Sequence, residues 1–481
     1  MINKKDRAGY LLKNTSIFAL SNIAMKLINF ILVPLYTYCL STSEYGVADL
    51  LFAISSVLVP VITLNIVEGI YRFSLDKDAD NDKILSISFV LLIFASIIGL
   101  LIIPIMKRFL EFSSYNLLFY FYVITSAFSQ VLLTNLKGQE KLKKFAIGNI
   151  LSTIFVALFN ILFLLIMKMK VEGYFLSYII SNVLVAIYSF IVGNVANNLK
   201  NFNFDKKLFN KMTKYSIVLI PTSFMWWIMN SSDRIMISEF INSSANGIYA
   251  ISYKLPSILT VISNIFNQAW MFSAVDLEDS EDNEKYNNKI FELLLSVLLI
   301  ASVTLLILTK PFLKIYVSSE YYSSWKYVPY LILGSTFSIL GTFVATQYSV
   351  KKDSKGFLFS GLFGAILNII LNFILIPKIG VHGAAFATCV SYISTFIYRI
   401  IDTRKYIKIN MKFKYFIAFL LLTISCITTY IEGNIGIICK IVELIIVIIC
   451  FKNDYIQIFN LIQGRLLDKF RIRKDKTENE K

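Results

Sequence analysis

The chain has 481 residues, of which 56% are hydrophobic, with a mean hydropathy of +0.66 and a formal charge of +16. Apolar runs of about 20 residues recur from end to end, which excludes a soluble globular protein and implies an all-α, polytopic integral membrane protein. Lys and Arg are spread over alternate loops instead of gathering on one face, which excludes nucleic acid as a partner and marks orientation in a bilayer.

A charged N-terminus (Lys4, Lys5, Asp6, Arg7, Lys13) precedes a run too long for a signal-peptide core and without a small-x-small cleavage site. It is expected to stay as the first helix. Fourteen spans are expected, at roughly 14–40, 47–71, 84–106, 116–136, 145–167, 173–194, 215–238, 247–272, 290–309, 327–350, 357–377, 380–400, 413–431 and 434–451. Loops after even-numbered spans, with both termini, hold 35 of the 47 Lys and Arg, whereas loops after odd-numbered spans hold eight. This asymmetry puts both termini in the cytoplasm. The acidic loop from Asp276 to Lys289 departs from the trend, but acidic residues weigh little in it.

In span 1, Thr15, Asn22, Lys26 and Asn29 fall on one helical stripe. A lysine near the bilayer centre is costly, so that face is expected to meet water, a partner helix or a ligand. A polar hinge, Ser41-Thr42-Ser43-Glu44-Tyr45-Gly46, leads into span 2, which carries Asp49 near its outer end and Glu68 and Arg72 at its inner end. Glu68 and Arg72, four apart with the acid first, suit a helical ion pair or a coupling role. Span 7 gathers Asn230, Ser231, Ser232, Asp233 and Arg234 inside an apolar helix. Asp233 and Arg234 point about 100° apart, so one of them should pair across helices. Span 8 repeats the design of span 1: Lys254 with Ser257, Asn264 and Gln268 on one face. Lys26 and Lys254 are open to two readings. Either each pairs with a carboxylate such as Asp49 or Asp233, or they line a cavity and attract an anionic substrate. Asp49, Glu68 and Asp233 are candidates for coupling to H⁺ or Na⁺. Pro34, Pro60, Pro221 and Pro256 fall inside these same four spans and permit kinks there. In span 14, Lys440 and Glu443 read as a local helix pair.

The two halves of the chain match one another. Ser41–Leu50 (STSEYGVADL) aligns with Asn242–Ile251 (NSSANGIYAI) at an offset of 201, and two further matches follow in the same order at offsets of 209 and 210. This implies two parallel six-helix pseudo-repeats with a site between them, and two extra C-terminal helices. The expected division is 1–199, 200–405, 406–452 for spans 13 and 14, and a cytoplasmic tail 453–481. That tail is either an amphipathic helix on the inner leaflet, with Ile458, Phe459, Leu461 and Ile462 on its apolar face, or a solvated end.

Nothing in the sequence supplies a P-loop, a zincin motif, a nucleophile elbow or paired cysteines. The five cysteines lie within or at the edges of apolar runs, and a single histidine, His382, precludes an imidazole cluster. Neither a catalytic residue, a metal nor a cofactor is expected.

The opening NTSIFALSNIAMKLINFILVPLYTYCLSTSEYGVADL, the KGQEKLKKFAIGN segment at Lys137–Asn149 and NSSDR at Asn230–Arg234 resemble the bacterial polysaccharide transporters. These are the Wzx-type O-antigen and capsular repeat-unit flippases of the multidrug/oligosaccharidyl-lipid/polysaccharide (MOP) superfamily. The resemblance implies a flippase in the cytoplasmic membrane that moves undecaprenyl-diphosphate-linked oligosaccharide to the outer leaflet through a cationic cavity. Its contacts would be Lys26, Arg234 and Lys254 with Asn22, Asn29, Asn230 and Asn264. It also implies polymerase and chain-length proteins of the same pathway as partners. Three other classes compete. A cation-coupled drug antiporter expects an acidic cavity, a polysaccharide polymerase expects a large outer loop, and a scaffold leaves the lysine stripes without a purpose.

Overall fold

The computed structural model describes residues 25–76, 78–109, 113–277, 280–457 and 460. Among these residues there is no strand, and each of the fourteen expected spans is mainly helical over its described residues. In chain order the helices are α1 (Met25–Cys39), α2 (Thr42–Ile62), α3 (Ile66–Ser74), α4 (Asn81–Phe109), α5 (Asn116–Gly138) and α6 (Leu142–Asn160). Next come α7 (Lys170–Val192), α8 (Val195–Lys200), α9 (Lys206–Phe240), α10 (Ser243–Ser252) and α11 (Lys254–Asp276). The remainder are α12 (Asn283–Tyr316), α13 (Val328–Val350), α14 (Ser354–Ile379), α15 (Val381–Asp402), α16 (Phe413–Thr428) and α17 (Gly433–Cys450). Among the described residues, nine helical stretches are long and apolar enough to cross a membrane. A 21-residue helix such as α2 spans about 31 Å, the thickness of a hydrocarbon core.

Three expected spans are interrupted, span 1 at the single turn residue Leu32 ahead of Pro34. Span 2 ends its first helix at Ile62, and Leu64 and Asn65 take left-handed backbone (φ 51° and 53°) before α3 begins. The break lies beyond Pro60, whose carbonyl accepts from the Asn65 N–H at 2.6 Å. Asparagine tolerates that conformation better than most residues. Span 8 is interrupted at Tyr253, so Lys254 opens α11, with Pro256 in its first turn. By contrast α9 runs through Pro221 as one helix of 35 residues. The apolar tail residues Ile458, Phe459, Leu461 and Ile462, together with Thr15 and Asn22 of the first stripe, lie outside the described residues.

The chain forms two compact units. The first comprises the residues through Ile251 with Lys314–Ser323 and Asn372–Val381. It therefore extends past residue 199 and includes α9 and α10. Within it α7 packs on α5 and α6, and α9 packs on α2 and α3. Leu85, Leu132 and Val195 form an inner cluster under Phe89 and Phe190. Ser41 caps α2 reciprocally: its hydroxyl accepts from Glu44 N at 3.3 Å, and its N–H donates to the Glu44 carboxylate at 2.9 Å. Asp205 caps α9 through the N–H groups of Lys207 and Leu208, and accepts from Lys83 of α4 at 3.4 Å. Those backbone donors, led by Leu208 N–H, hold its carboxyl below the ordinary value despite some desolvation.

The second unit comprises Ser252–Leu313, Ser324–Leu371 and the chain from His382 onward. Its core is aromatic: Trp270 of α11 stacks on Phe343 of α13 at 4.8 Å, Phe291 of α12 meets Tyr415 of α16 at 5.5 Å, and Phe337 meets Phe419 at 4.8 Å. Glu292 binds Lys412 at 2.8 Å and Lys414 at 3.2 Å, and Lys414 also pairs with the buried Asp454 after α17. The expected Lys440–Glu443 pair does not form. Lys440 donates to the Leu306 carbonyl at 3.3 Å, and Glu443 accepts from the Thr428 hydroxyl at 3.3 Å. Both are nearly buried, so each takes the polar partner that neighbouring helices offer. In the loop ahead of α14, Asp353 accepts from Gly356 N–H, Tyr406 and Lys405, which hold its carboxyl down at about 2.

Candidate substrate site

In the first unit, Lys26 and Asn29 of α1 are exposed and one turn apart, as the stripe requires. Asp49 of α2 does not serve Lys26. Its carboxylate binds Arg234 of α9, with Nε to Oδ2 at 2.6 Å and both side chains about one-sixth exposed (17% and 16%). The guanidinium also donates to the Asn230 carbonyl at 2.7 Å and to the Ser231 hydroxyl at 3.2 Å. Asn230, Asp49 and Arg234 are thus gathered into one polar knot. Arg234 enters it as a neutralised cation, not as a free one.

Asp233 points elsewhere, as its angular separation from Arg234 demands. It is buried and accepts from the Tyr249 hydroxyl at 2.5 Å. Glu68 is exposed on α3, and Arg72 reaches forward to Asp76 at 2.6 Å, not back to Glu68. The expected Glu68–Arg72 pair therefore does not form. Asp76 lies beyond the end of α3 and meets the guanidinium there with a short Nη1–Oδ1 bond.

In the second unit Lys254 is half-buried at the start of α11, where its carbonyl accepts from the Ser257 hydroxyl at 2.6 Å, and Asn264 is exposed two to three turns on. A polar cavity of about 270 Å³ lies at the junction of α3, α4 and α9, lined by Asp76, the partner of Arg72, with Asp80, Lys83, Asp205, Lys207 and Lys211. Its charges largely answer one another: Lys83 lies 3.8 Å from Asp80 and 3.4 Å from Asp205. Among the described residues no group of three His, Cys, Asp or Glu side chains could hold a metal ion.

One constellation was not foreseen from single residues. The N-termini of α2 and α10, the two segments matched at an offset of 201, cross in direct contact. A Cβ on Gly46 would lie 1.8 Å from the Ser243 carbonyl oxygen, and a Cβ on Gly247 would lie 2.0 Å from that of Thr42. Residues 42 and 243, like 46 and 247, are equivalent in the repeat, so the contact is reciprocal, as at a two-fold interface. Only glycine permits this approach. Around it, Thr42 and Ser244 hydroxyls lie 2.7 Å apart, and the Asn246 amide donates to the Gly46 carbonyl at 2.8 Å. Glu44 binds Lys170 at 2.9 Å, and Tyr321 donates to the carbonyls of Leu40 and Ser41 at 3.0 and 2.7 Å. The signal was present in the repeat itself, which aligns Gly46 with Gly247.

A family model for the polysaccharide biosynthesis proteins matches residues 11–272, more than half the chain. The chain belongs to that family. The family match covers α1 to α10 and most of α11, and so takes in every candidate residue placed above. The uncharacterized membrane protein MJ1375 of Methanocaldococcus jannaschii is 24% identical over 437 residues, covering 82% of this chain and 99% of the relative. Among solved structures, the lipid II flippase MurJ in an inward closed conformation has a TM-score of 0.65 at 14% identity, over 92% of this chain and 99% of its own. An inward-facing multidrug resistance MATE transporter of the MOP superfamily has a TM-score of 0.62 at 12% identity, over 80% of this chain and 93% of its own. At these identities the likeness establishes the fold, which is that of the MOP-superfamily transporters.

Proposed function

We propose that this family member is a flippase of the cytoplasmic membrane that moves undecaprenyl-diphosphate-linked oligosaccharides to the outer leaflet. A diphosphate bearing sugars loses its hydration in hydrocarbon, so unassisted crossing is very slow. A protein that shields the head while the prenyl tail stays in lipid removes that barrier. The observation that carries this reading is the exposed lysine on an apolar membrane helix, Lys26 with Asn29 on α1. A cation kept at such a cost and left open is suited to an anionic head group. Lys254, Asn264 and Asn230, with Asn22 on the same stripe as Lys26, extend the proposed contact set. Arg234 joins it only when its pair with Asp49 opens.

The repeat halves, 1–199 and 200–405, are the proposed moving parts of an alternating-access cycle. With both termini in the cytoplasm, the α2–α10 crossing would lie at the outer side, and in the proposed cycle its close contact belongs to the state closed there. Opening outward would part the Gly46–Gly247 crossing and strain the Arg234–Asp49 pair. Asp233 is the proposed carboxylate for coupling to H⁺ or Na⁺, and a polymerase with its chain-length regulator is the proposed partner downstream.

The contact set is tested by the variant Lys26→Ala/Lys254→Ala in the native host. Polymer output should fall at least tenfold with unchanged membrane insertion. Normal output would remove both lysines from the substrate path.

A further inference from the structure

We propose that a phenol-lined aromatic nest in the first unit binds a sugar ring of the transported head group, a reading that rests on the flippase function proposed above. Phe52 of α2 is its centre. The Phe52 ring centroid lies 4.4 Å from that of Tyr122 on α5, and 4.6 and 5.4 Å from those of Tyr178 and Tyr174 on α7. Phe175 stacks on Phe52 at 5.3 Å, nearly coplanar at 8°, and Tyr36 of α1 meets Tyr174 edge-on at 4.9 Å. The Tyr178 ring also meets those of Tyr174 at 5.2 Å and Tyr122 at 6.1 Å, both edge-on, and Tyr45 lies 6.2 Å from Tyr36.

Packing alone does not account for this chemistry. Tyr36 is 3% exposed, and its hydroxyl is buried without a hydrogen-bond partner. A buried hydroxyl left unpaired carries its desolvation cost with nothing in return. Phenylalanine would fill the same volume without that cost. Phe52, Tyr122 and Tyr178 are meanwhile only half-buried, so the cluster is not fully closed by its own rings.

The nest suits one part of the head group. Aromatic faces carry negative potential and attract the weakly positive C–H face of a sugar ring, and phenols can pair with its hydroxyls. A diphosphate would require cations, and the nearby guanidinium of Arg234 is committed to Asp49. A prenyl chain would leave the phenols unpaired. A neutral saccharide satisfies both the rings and the hydroxyls.

The test uses the full chain in lipid nanodiscs with three probes: undecaprenyl diphosphate, the same lipid carrying a neutral N-acetylhexosamine, and a free N-acetylhexosamine disaccharide. Wild type should prefer the glycosylated lipid over the bare one by about three- to tenfold, the scale of one aromatic contact. Tyr178→Phe and Phe52→Leu should abolish the preference and leave affinity for the bare lipid unchanged. Tyr36→Phe should weaken the preference without lowering thermal stability, which separates binding from packing. Variants that keep the full preference, or a wild type that binds both lipids equally, would overturn the nest. Equal affinity for the free disaccharide would assign it to a soluble saccharide and overturn the link to the head group. A wild type that binds neither lipid would overturn the flippase function itself.

Discussion

Lys26, Asp49 and Arg234 show how charge is settled inside the bilayer. The sequence offered Asp49 or Asp233 as a partner for Lys26 and Lys254, and the ion pair at 2.6 Å gives Asp49 to Arg234 instead. Arginine is the better partner because its fork also reaches the Asn230 carbonyl and the Ser231 hydroxyl, which a lysine could not do together. Removing one member of a mostly buried pair leaves the other charge uncompensated, a cost of about 3–5 kcal/mol when burial is complete and less here. Arg234→Ala and Asp49→Ala are therefore each expected to reduce transport and thermal stability, while the double variant is milder than the two effects added. Additive losses in a double-mutant cycle would show that the pair is not coupled. Lys26 and Lys254 could be named from sequence because a cation in an apolar run stands out. Arg234's partner could not, because Asp49 lies 185 residues away and only packing decides between equally plausible carboxylates.

At the scale of elements, helices were legible and their interruptions only partly so. Hydrophobic length located all fourteen spans, but the break at Leu64 and Asn65 falls beyond the proline that a sequence reading would choose. Pro221 leaves α9 unbroken. Proline removes one donor, and neighbouring helices decide whether the backbone bends in response. The reciprocal crossing of α2 and α10 is the clearest element-level consequence of the internal repeat. A side chain at Gly46 has no room beside the Ser243 carbonyl, so Gly46→Leu must push the two helix ends apart. At about 1–3 kcal/mol for overpacking, the closed arrangement should lose about 5- to 150-fold in population relative to the open one. The measurable outcome is faster labelling of a cysteine at Thr42 by a membrane-impermeant thiol reagent added outside. Unchanged labelling would mean that the crossing does not govern access.

For the whole molecule, composition anticipated the all-α membrane class, because burying polar backbone in hydrocarbon leaves few solutions besides helices. The compact units do not follow the sequence halves: α9 and α10 pack with the first six spans, although the repeat assigns them to the second half. Sequence similarity reports descent, whereas packing reports the arrangement in which the chain rests, and the two divisions need not coincide. The aromatic nest was invisible in sequence for a related reason. Tyr36, Phe52, Tyr122 and Tyr178 are ordinary aromatic residues of four separate helices until the fold brings their rings together.

The central claim, transfer of a lipid-linked oligosaccharide from the inner to the outer leaflet, is tested most directly by deleting the protein in its native host. The sidedness of lipid-linked repeat units is then read with a glycosidase or lectin confined to the outside. The account predicts that repeat units accumulate on the inner leaflet, inaccessible to the probe, and become accessible when the wild-type chain is restored. Accumulation on the outer leaflet in the deletion strain would contradict it, because the missing step would then follow transfer across the membrane.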